Sequence, residues 1–210
     1  MRFRDRSDAG HRLADLLSKR PMDDVVVLGL PRGGVPVAYE VANALNAPLD
    51  VILVRKIGVP FRPELAMGAI GEDGVRIVNE EVVRQLGVSA TDFAVVETRE
   101  RRELARRARV FRSRRERVSL AGRTALIVDD GIATGSTARA ACQVARAQGA
   151  AKVVVATPVA SRGAVDRLRG DADEVAVLDS PEAFRAIGEF YDDFSQTTDD
   201  DVVRSLGLVT

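Results

Sequence analysis

Ala125-Leu-Ile-Val-Asp-Asp-Gly-Ile-Ala-Thr-Gly-Ser-Thr137 ends an apolar run in two adjacent carboxylates and follows them with small and hydroxylated residues. Four consecutive apolar residues of this kind read as a strand buried on both faces. Ser136 to Gln148 carries apolar residues at helical spacing and reads as the helix that the loop opens, with Gly149 placed to end it. Gly131, Ala133 and Gly135 let the backbone approach a ligand closely. The amides and hydroxyls of Thr134, Ser136 and Thr137 direct donors at an anion ahead of the helix. Asp129 and Asp130 repel such an anion and suit hydroxyl donors or a hydrated divalent cation. The stretch therefore fits a ligand with a phosphate at one end and a diol beside it.

Working outward, Val25 to Leu30, Val51 to Val54, Val153 to Ala156 and Val175 to Leu178 are further short, β-rich apolar runs. Val35 to Leu45 and Ser161 to Arg169 have helical spacing. The repeated strand-helix order predicts an α/β fold, a mainly parallel twisted sheet with helices on both faces. Such sheets bind ligands beyond the carboxyl ends of their strands. The first strand also ends in a Gly-containing loop, Leu30-Pro-Arg-Gly-Gly-Val-Pro36, expected on the same edge. Gly33 and Gly34 have backbone freedom closed to other residues, and the planar fork of Arg32 can pair with phosphate oxygens.

Val128-Asp-Asp-Gly-Ile-Ala-Thr-Gly-Ser-Thr137 resembles the phosphoribosyl pyrophosphate (PRPP) signature of type I phosphoribosyltransferases. The resemblance extends over about residues 25–160 at the level of the fold. It implies one phosphoribosyltransferase-like domain over residues 1–210, with a core at about 21–179 and a small hood from about 1–20 and 180–210. The implied activity is cytoplasmic, Mg2+-dependent transfer of the 5-phosphoribosyl group from PRPP to a nitrogen acceptor, a nucleobase or similar compound, with release of pyrophosphate. Asp129 and Asp130 would be catalytic and would hold the metal through water. PRPP would bind Arg32, Gly33, Gly34, Arg55, Lys56, Gly131, Ala133, Thr134, Gly135, Ser136 and Thr137. A strained, often cis, peptide is implied near Arg32, and the family suggests a homodimer.

Gly58 to Ala66 reads as a Pro-interrupted connection, and Met67 to Ile70 with Val75 to Val78 as a hairpin around Gly71-Glu-Asp-Gly. Thr98 to Arg117 contains ten Arg and three Glu around a stripe of Leu104, Ala108 and Phe111, and reads as a long basic helix. Three readings stand for it: a solvated face packing through its stripe, against a second subunit among the options; a lid over the diphosphate; or an RNA-binding face, as in a PRPP-sensing or RNA-binding regulator on the same fold. Few aromatic residues accompany the arginines, which disfavours single-strand stacking. Near the end, Phe184, Phe190, Tyr191 and Phe194 cluster. Phe190 and Tyr191 are candidates to stack on an acceptor, the alternative being that these rings only pin the segment to the core.

Composition bounds the rest. The 210 residues have zero formal net charge, so no global field draws nucleic acid. No apolar run approaches the length of a membrane span, and no signal-type apolar core follows the charged start. Cys142 and His11 are each alone, which excludes an internal disulfide and a His/Cys zinc site. No Gly-Lys-Ser/Thr element supports a nucleotide triphosphatase.

Overall fold

The computed structural model describes residues 1–112 and 116–207. Five strands, β1 (Val25–Gly29), β2 (Leu49–Val51), β6 (Thr124–Val128), β7 (Lys152–Val159) and β8 (Glu174–Asp179), form one parallel sheet in the order β2-β1-β6-β7-β8. Successive side chains of a strand face opposite ways, so alternate residues feed two cores. Val27, Leu126, Val128 and Val154 pack under α1 (Arg6–Leu17) and α2 (Gly34–Leu45) through Leu13, Leu17, Val37 and Val41. Val26, Leu28, Ile127 and Val155 meet α5 (Ser136–Ala147) and α6 (Arg162–Leu168) through Ala138, Ala141, Ala145 and Leu168 on the other face. The small residues of α5 bring that helix close to the sheet. Cys142, among them, is fully buried, and burial pushes its thiol up to about 12, leaving a small inert hydrophobe.

The apolar run 51–54 behaves differently from its reading as one strand. Its pairing with β1 ends at Val51, and the chain crosses into a second sheet at Val54. Val51 and Leu53 are buried in one core cluster and Ile52 and Val54 in another, so the run is apolar because two cores flank it. The second sheet is antiparallel: β3 (Val54–Val59), β4 (Arg62–Gly71) and β5 (Arg76–Val78). The expected hairpin exists, with Gly68 opposite Val78 and Ile70 opposite Arg76. The presumed connection before it is instead the β3–β4 turn. Pro63 is tolerated inside β4 because β5 pairs only with Gly68 to Ile70, leaving that end of β4 an edge.

The basic helix begins earlier than its arginines suggest. It follows α3 (Glu80–Gln85) as α4 (Ala90–Phe111), and the Ser89 side chain accepts from the Asp92 amide at its start. Ser113 to Arg115 of the expected span lie outside the described residues. Leu104 and Phe111 are buried against Ile57, Met67 and Ile70 and against Val202 and Leu206 around α7 (Asp199–Ser205). The stripe is thus covered by its own chain and is not a face for a second subunit. Many arginines are also committed. Arg99 pairs with Glu100, Arg101 with Glu97, and Arg106 and Arg107 with Glu103, whose carboxyl they hold down at about 2 through hydrogen bonds. Arg112 pairs with Glu72 and with the fully buried Asp50, tying the end of α4 to both sheets. No helix among the described residues is long and apolar enough to cross a membrane.

Candidate active site

The turns after β1 and β6 meet at the carboxyl edge of the parallel sheet. The peptide between Pro31 and Arg32 is cis, at the place the resemblance implied. Gly33 follows and lies directly on Asp130: a Cβ on Gly33 would stand 2.0 Å from Asp130 Oδ2. Gly34 packs on the β6 end, where a Cβ would be 2.6 Å from the Val128 carbonyl oxygen. Two loops separated by about a hundred positions in the chain are therefore interlocked at glycines.

The two carboxylates have different surroundings. Asp130 is 8 % exposed, and its Oδ2 accepts a hydrogen bond from Arg6 Nε of α1 at 2.8 Å. Its backbone carbonyl accepts from the Tyr191 hydroxyl at 2.6 Å. Asp129 Oδ1 accepts from the Asp130 amide at 3.0 Å, and Asp129 makes no ion pair among the described residues. Burial, then repulsion by Asp130, raises the Asp129 carboxyl well above the usual carboxylate range. Burial raises Asp130 too, with the Arg6 guanidinium opposing the rise. Removing Tyr191's hydroxyl leaves a buried carbonyl without its partner. Tyr191→Phe is expected to cost about 1–2 kcal/mol, lowering the melting temperature by roughly 2–8 °C; a calorimetric midpoint equal to wild type would show the bond carries no stability.

Beyond the carboxylates, Gly131 is buried against Ile187, and Ile132 bridges to Ala160 after β7. Ser161 Oγ donates to the Ala133 carbonyl at 2.6 Å and Arg167 Nε to the Thr134 carbonyl at 3.1 Å, so α6 holds the loop by its carbonyls. Gly135 takes φ +77°, a left-handed conformation that turns the chain into α5. No side chain caps that helix as its N-cap, though Ser136 N reaches Thr134 Oγ1 at 3.4 Å. Ala133, Thr134 and Thr137 are exposed at this helix start, where the dipole and free amides favour an anion.

The basic candidates already have partners. Arg32 stands 3.6 Å from Asp199 of α7, and Lys56 Nζ is 3.2 Å from the exposed Glu64. Such exposed pairs are weak and readily exchanged for a polyanion. Arg55 differs: it is 2.6 Å from Glu100, which is 6 % exposed and pairs with Arg99 as well. Arg55 is thus tied to α4, and Arg55 and Lys56 both line a cavity of about 390 Å3 shared with Thr137.

A second cavity, of about 470 Å3, adjoins Asp130 and Gly33 and is lined by Arg6, Arg32, Arg107 and Phe194. Neither Phe190 nor Tyr191, the residues expected to stack on an acceptor, lines this cavity. Tyr191 is 3 % exposed and packs on Phe3 with ring centroids 5.4 Å apart, while Phe190 stacks on Phe184 at 5.6 Å. Only Phe194 of that cluster lines the cavity, with the Arg6 guanidinium 4.1 Å from its ring centroid. Arg6 and Arg107 have no local sequence signal, because each is one Arg in an Arg-rich stretch and its role depends on contacts with distant loops.

The donor chemistry suits a hard divalent cation only in part. Asp129 and Asp130 are oxygen ligands, but no cluster of three or more potential ligand residues occurs among the described residues. That fits an ion such as Mg2+, which keeps waters and takes substrate phosphate oxygens, better than one enclosed by protein.

Comparison with known proteins gives a consistent picture. A sequence model described as the phosphoribosyl transferase domain matches residues 69–195. Two Mycobacterium tuberculosis sequences, from strains CDC 1551 and H37Rv, are 58% identical over 204 residues and carry names that assign them provisionally to the phosphoribosyl transferases. The match takes in 97% of this chain and 46% of theirs, so the chain spans less than half the length of these relatives. Among solved structures, TT1426 from Thermus thermophilus superposes with a TM-score of 0.92 at 45% identity, over 98% of each chain. The AQ2163 protein of Aquifex aeolicus shares the fold alone, with a TM-score of 0.51 at 12% identity over 87% of this chain and 78% of that one.

Proposed function

This chain belongs to the phosphoribosyl transferase family, and on that premise we propose that it transfers the 5-phosphoribosyl group of PRPP to a nitrogen acceptor in an Mg2+-dependent reaction that releases pyrophosphate. The observation that carries the reading is the pair Asp129 and Asp130 at the end of β6, interlocked with Gly33 on one side and followed by the open start of α5 on the other.

The residues divide the substrate between them. The loop Gly131 to Thr137 binds the 5-phosphate through amides and hydroxyls, and that remote binding orients the sugar for reaction. Arg32, Gly33, Gly34 and Lys56 face the diphosphate, Arg32 and Lys56 exchanging Asp199 and Glu64 for it. Bound Mg2+, held through water by Asp129 and Asp130, would supply charge neutralisation to the diphosphate. The bond from the anomeric carbon to the diphosphate oxygen breaks with its electron pair on that oxygen. The acceptor nitrogen forms the new bond with its lone pair and loses its proton to water. Positive charge grows on the sugar meanwhile, and the carboxylates of Asp129 and Asp130 favour that state over the neutral one. Residues 1–20 and 180–210 form the acceptor side in this reading, and residues 21–179 the core.

Pyrophosphate release from PRPP and Mg2+ with pooled nitrogen heterocycles tests the proposal directly. Release that requires both PRPP and an acceptor supports it. PRPP binding with no release in any pool would identify a PRPP-sensing protein instead, and absence of PRPP binding would remove the proposal altogether.

A further inference from the structure

Resting on the transferase reading above, we propose that Arg6 is a positioning residue for the reaction, acting not by contact with PRPP but by holding the Asp130 carboxylate against Gly33. The contact is specific in its atoms. Arg6 Nε donates to Asp130 Oδ2 at 2.8 Å, Arg6 Nη1 donates to the Ser195 carbonyl at 2.7 Å, and the guanidinium lies 4.1 Å from the centroid of the Phe194 ring. Both side chains of the ion pair are mostly buried, so salt screens it little. Open cavities of about 330 and 470 Å3 flank Arg6, and directional contacts rather than close packing therefore place the guanidinium.

Asp130 needs such a holder. A second carboxylate directly precedes it, and the Asp129 side chain is folded back so that its Oδ1 accepts from the Asp130 amide. Like charges this close push apart. On the other side Gly33 leaves room, because Asp130 Oδ2 is only 2.0 Å from the point where a Gly33 Cβ would stand. The oxygen thus fills the space of a missing side chain. Arg6 supplies the pull that keeps it there.

A merely structural role for the pair fits less well. α1 is docked without it: Leu13, Ala14 and Leu17 lie in the core beside α2, and Phe3 and Ala9 pack with Tyr191. Phe3 N donates to the Phe190 carbonyl and Asp192 N to the Phe3 carbonyl, each at 2.8 Å, tying the terminal segments together. A buried ion pair is in any case a weak source of net stability. Arg6 also gives Asp130 a single donor and takes its second contact at Ser195, whereas the two-toothed fork is the stronger form of pairing. One Nε contact on a guanidinium anchored at its far end fixes a direction. The positive charge has an opposing effect, since it offsets part of the carboxylate charge that favours a cation-like sugar. Alignment and offset predict opposite changes in rate when Arg6 is removed.

The test is single-turnover pyrophosphate release from PRPP and Mg2+ with the pooled nitrogen heterocycles, with PRPP affinity measured by calorimetry. Wild type, Arg6→Met, Arg6→Lys, Asp130→Asn and the double variant of Arg6→Met with Asp130→Asn are compared. Arg6→Met is expected to lower the rate about 100-fold, the scale of a misplaced reacting group, while PRPP affinity stays within about threefold of wild type because the effect lies in the transition state. Arg6→Lys is expected to recover roughly tenfold of that loss by restoring a donor and a charge. Added to Asp130→Asn, Arg6→Met should change the rate by less than about threefold, since no charge is left to position. A rate in Arg6→Met equal to or above wild type, a loss that falls on PRPP affinity instead, or losses that multiply in the double variant would each overturn the proposal. A wild type that binds no PRPP, or releases no pyrophosphate with any pool, refutes the transferase reading and this proposal with it. Wild-type turnover combined with any of the three contrary outcomes refutes only the role of Arg6. Melting curves establish that each variant is folded, and Arg6→Lys carries the same comparisons where Arg6→Met does not fold.

Discussion

Changing Asp129 and Asp130 together to asparagine is expected to lower pyrophosphate release by at least about 1,000-fold, the scale on which removal of preorganised electrostatic groups acts. The size of the effect follows from position. Both carboxylates stand at the edge where the β1 and β6 turns interlock, and both lose their charge in the variant while keeping side-chain volume. Stability should move the other way or not at all. Asp130 alone pairs with the Arg6 guanidinium, and burial with repulsion by Asp130 already disfavours the charged form of Asp129. An asparagine at 130 can still accept from Arg6 through its carbonyl oxygen. The expected outcome is therefore a folded protein with a melting temperature equal to or above wild type and almost no turnover. Turnover within tenfold of wild type would sink the assignment of these residues.

Gly33→Ala is expected to lower kcat/KM by about 100-fold, because misplacement of a reacting group by an ångström costs that much. The added methyl carbon would lie 2.0 Å from Asp130 Oδ2 and 2.7 Å from its Cγ. Asp130 cannot simply swing aside. Arg6 holds its carboxylate and Tyr191 holds its carbonyl, so the strain is shared between the carboxylate and the cis turn before Gly33. Gly170→Ala is the control, since a Cβ there meets nothing closer than 3.8 Å. Steady-state kinetics on both variants decide the matter: equal losses, or none at Gly33, would show that the contact does not position the site.

The parallel sheet and the Asp-Asp loop were legible in the sequence for a local reason. Val25 to Leu30 and Ala125 to Val128 are short runs buried on both faces, and the loop residues are special types at fixed spacing. The run at 51–54 shows the limit of that logic: it reports burial correctly but cannot report which sheet buries it. Likewise the stripe of α4 identifies an apolar face, yet nothing local says that β4 and α7 cover it. The cavity beside Asp130 was least legible. Aromaticity drew attention to Phe190 and Tyr191, whereas the cavity is lined by Phe194 and by Arg6, whose partner is 124 positions away. A hydrogen bond of that span leaves no trace in either segment's composition.

The Arg6, Asp130 and Ser195 contacts also set an order of events during synthesis. A chain emerging from its N-terminus presents Arg6 first, Asp130 much later and Ser195 near the end of the described residues. All five strands of the parallel sheet are complete by Asp179, before Tyr191 exists to reach the Asp130 carbonyl. Closing such long loops costs entropy that local pairing does not. The nascent protein can thus hold a finished scaffold whose cavity beside Asp130 still lacks a wall. On the transferase reading proposed above, catalytic competence would arrive as a late, separable step after the sheet has formed.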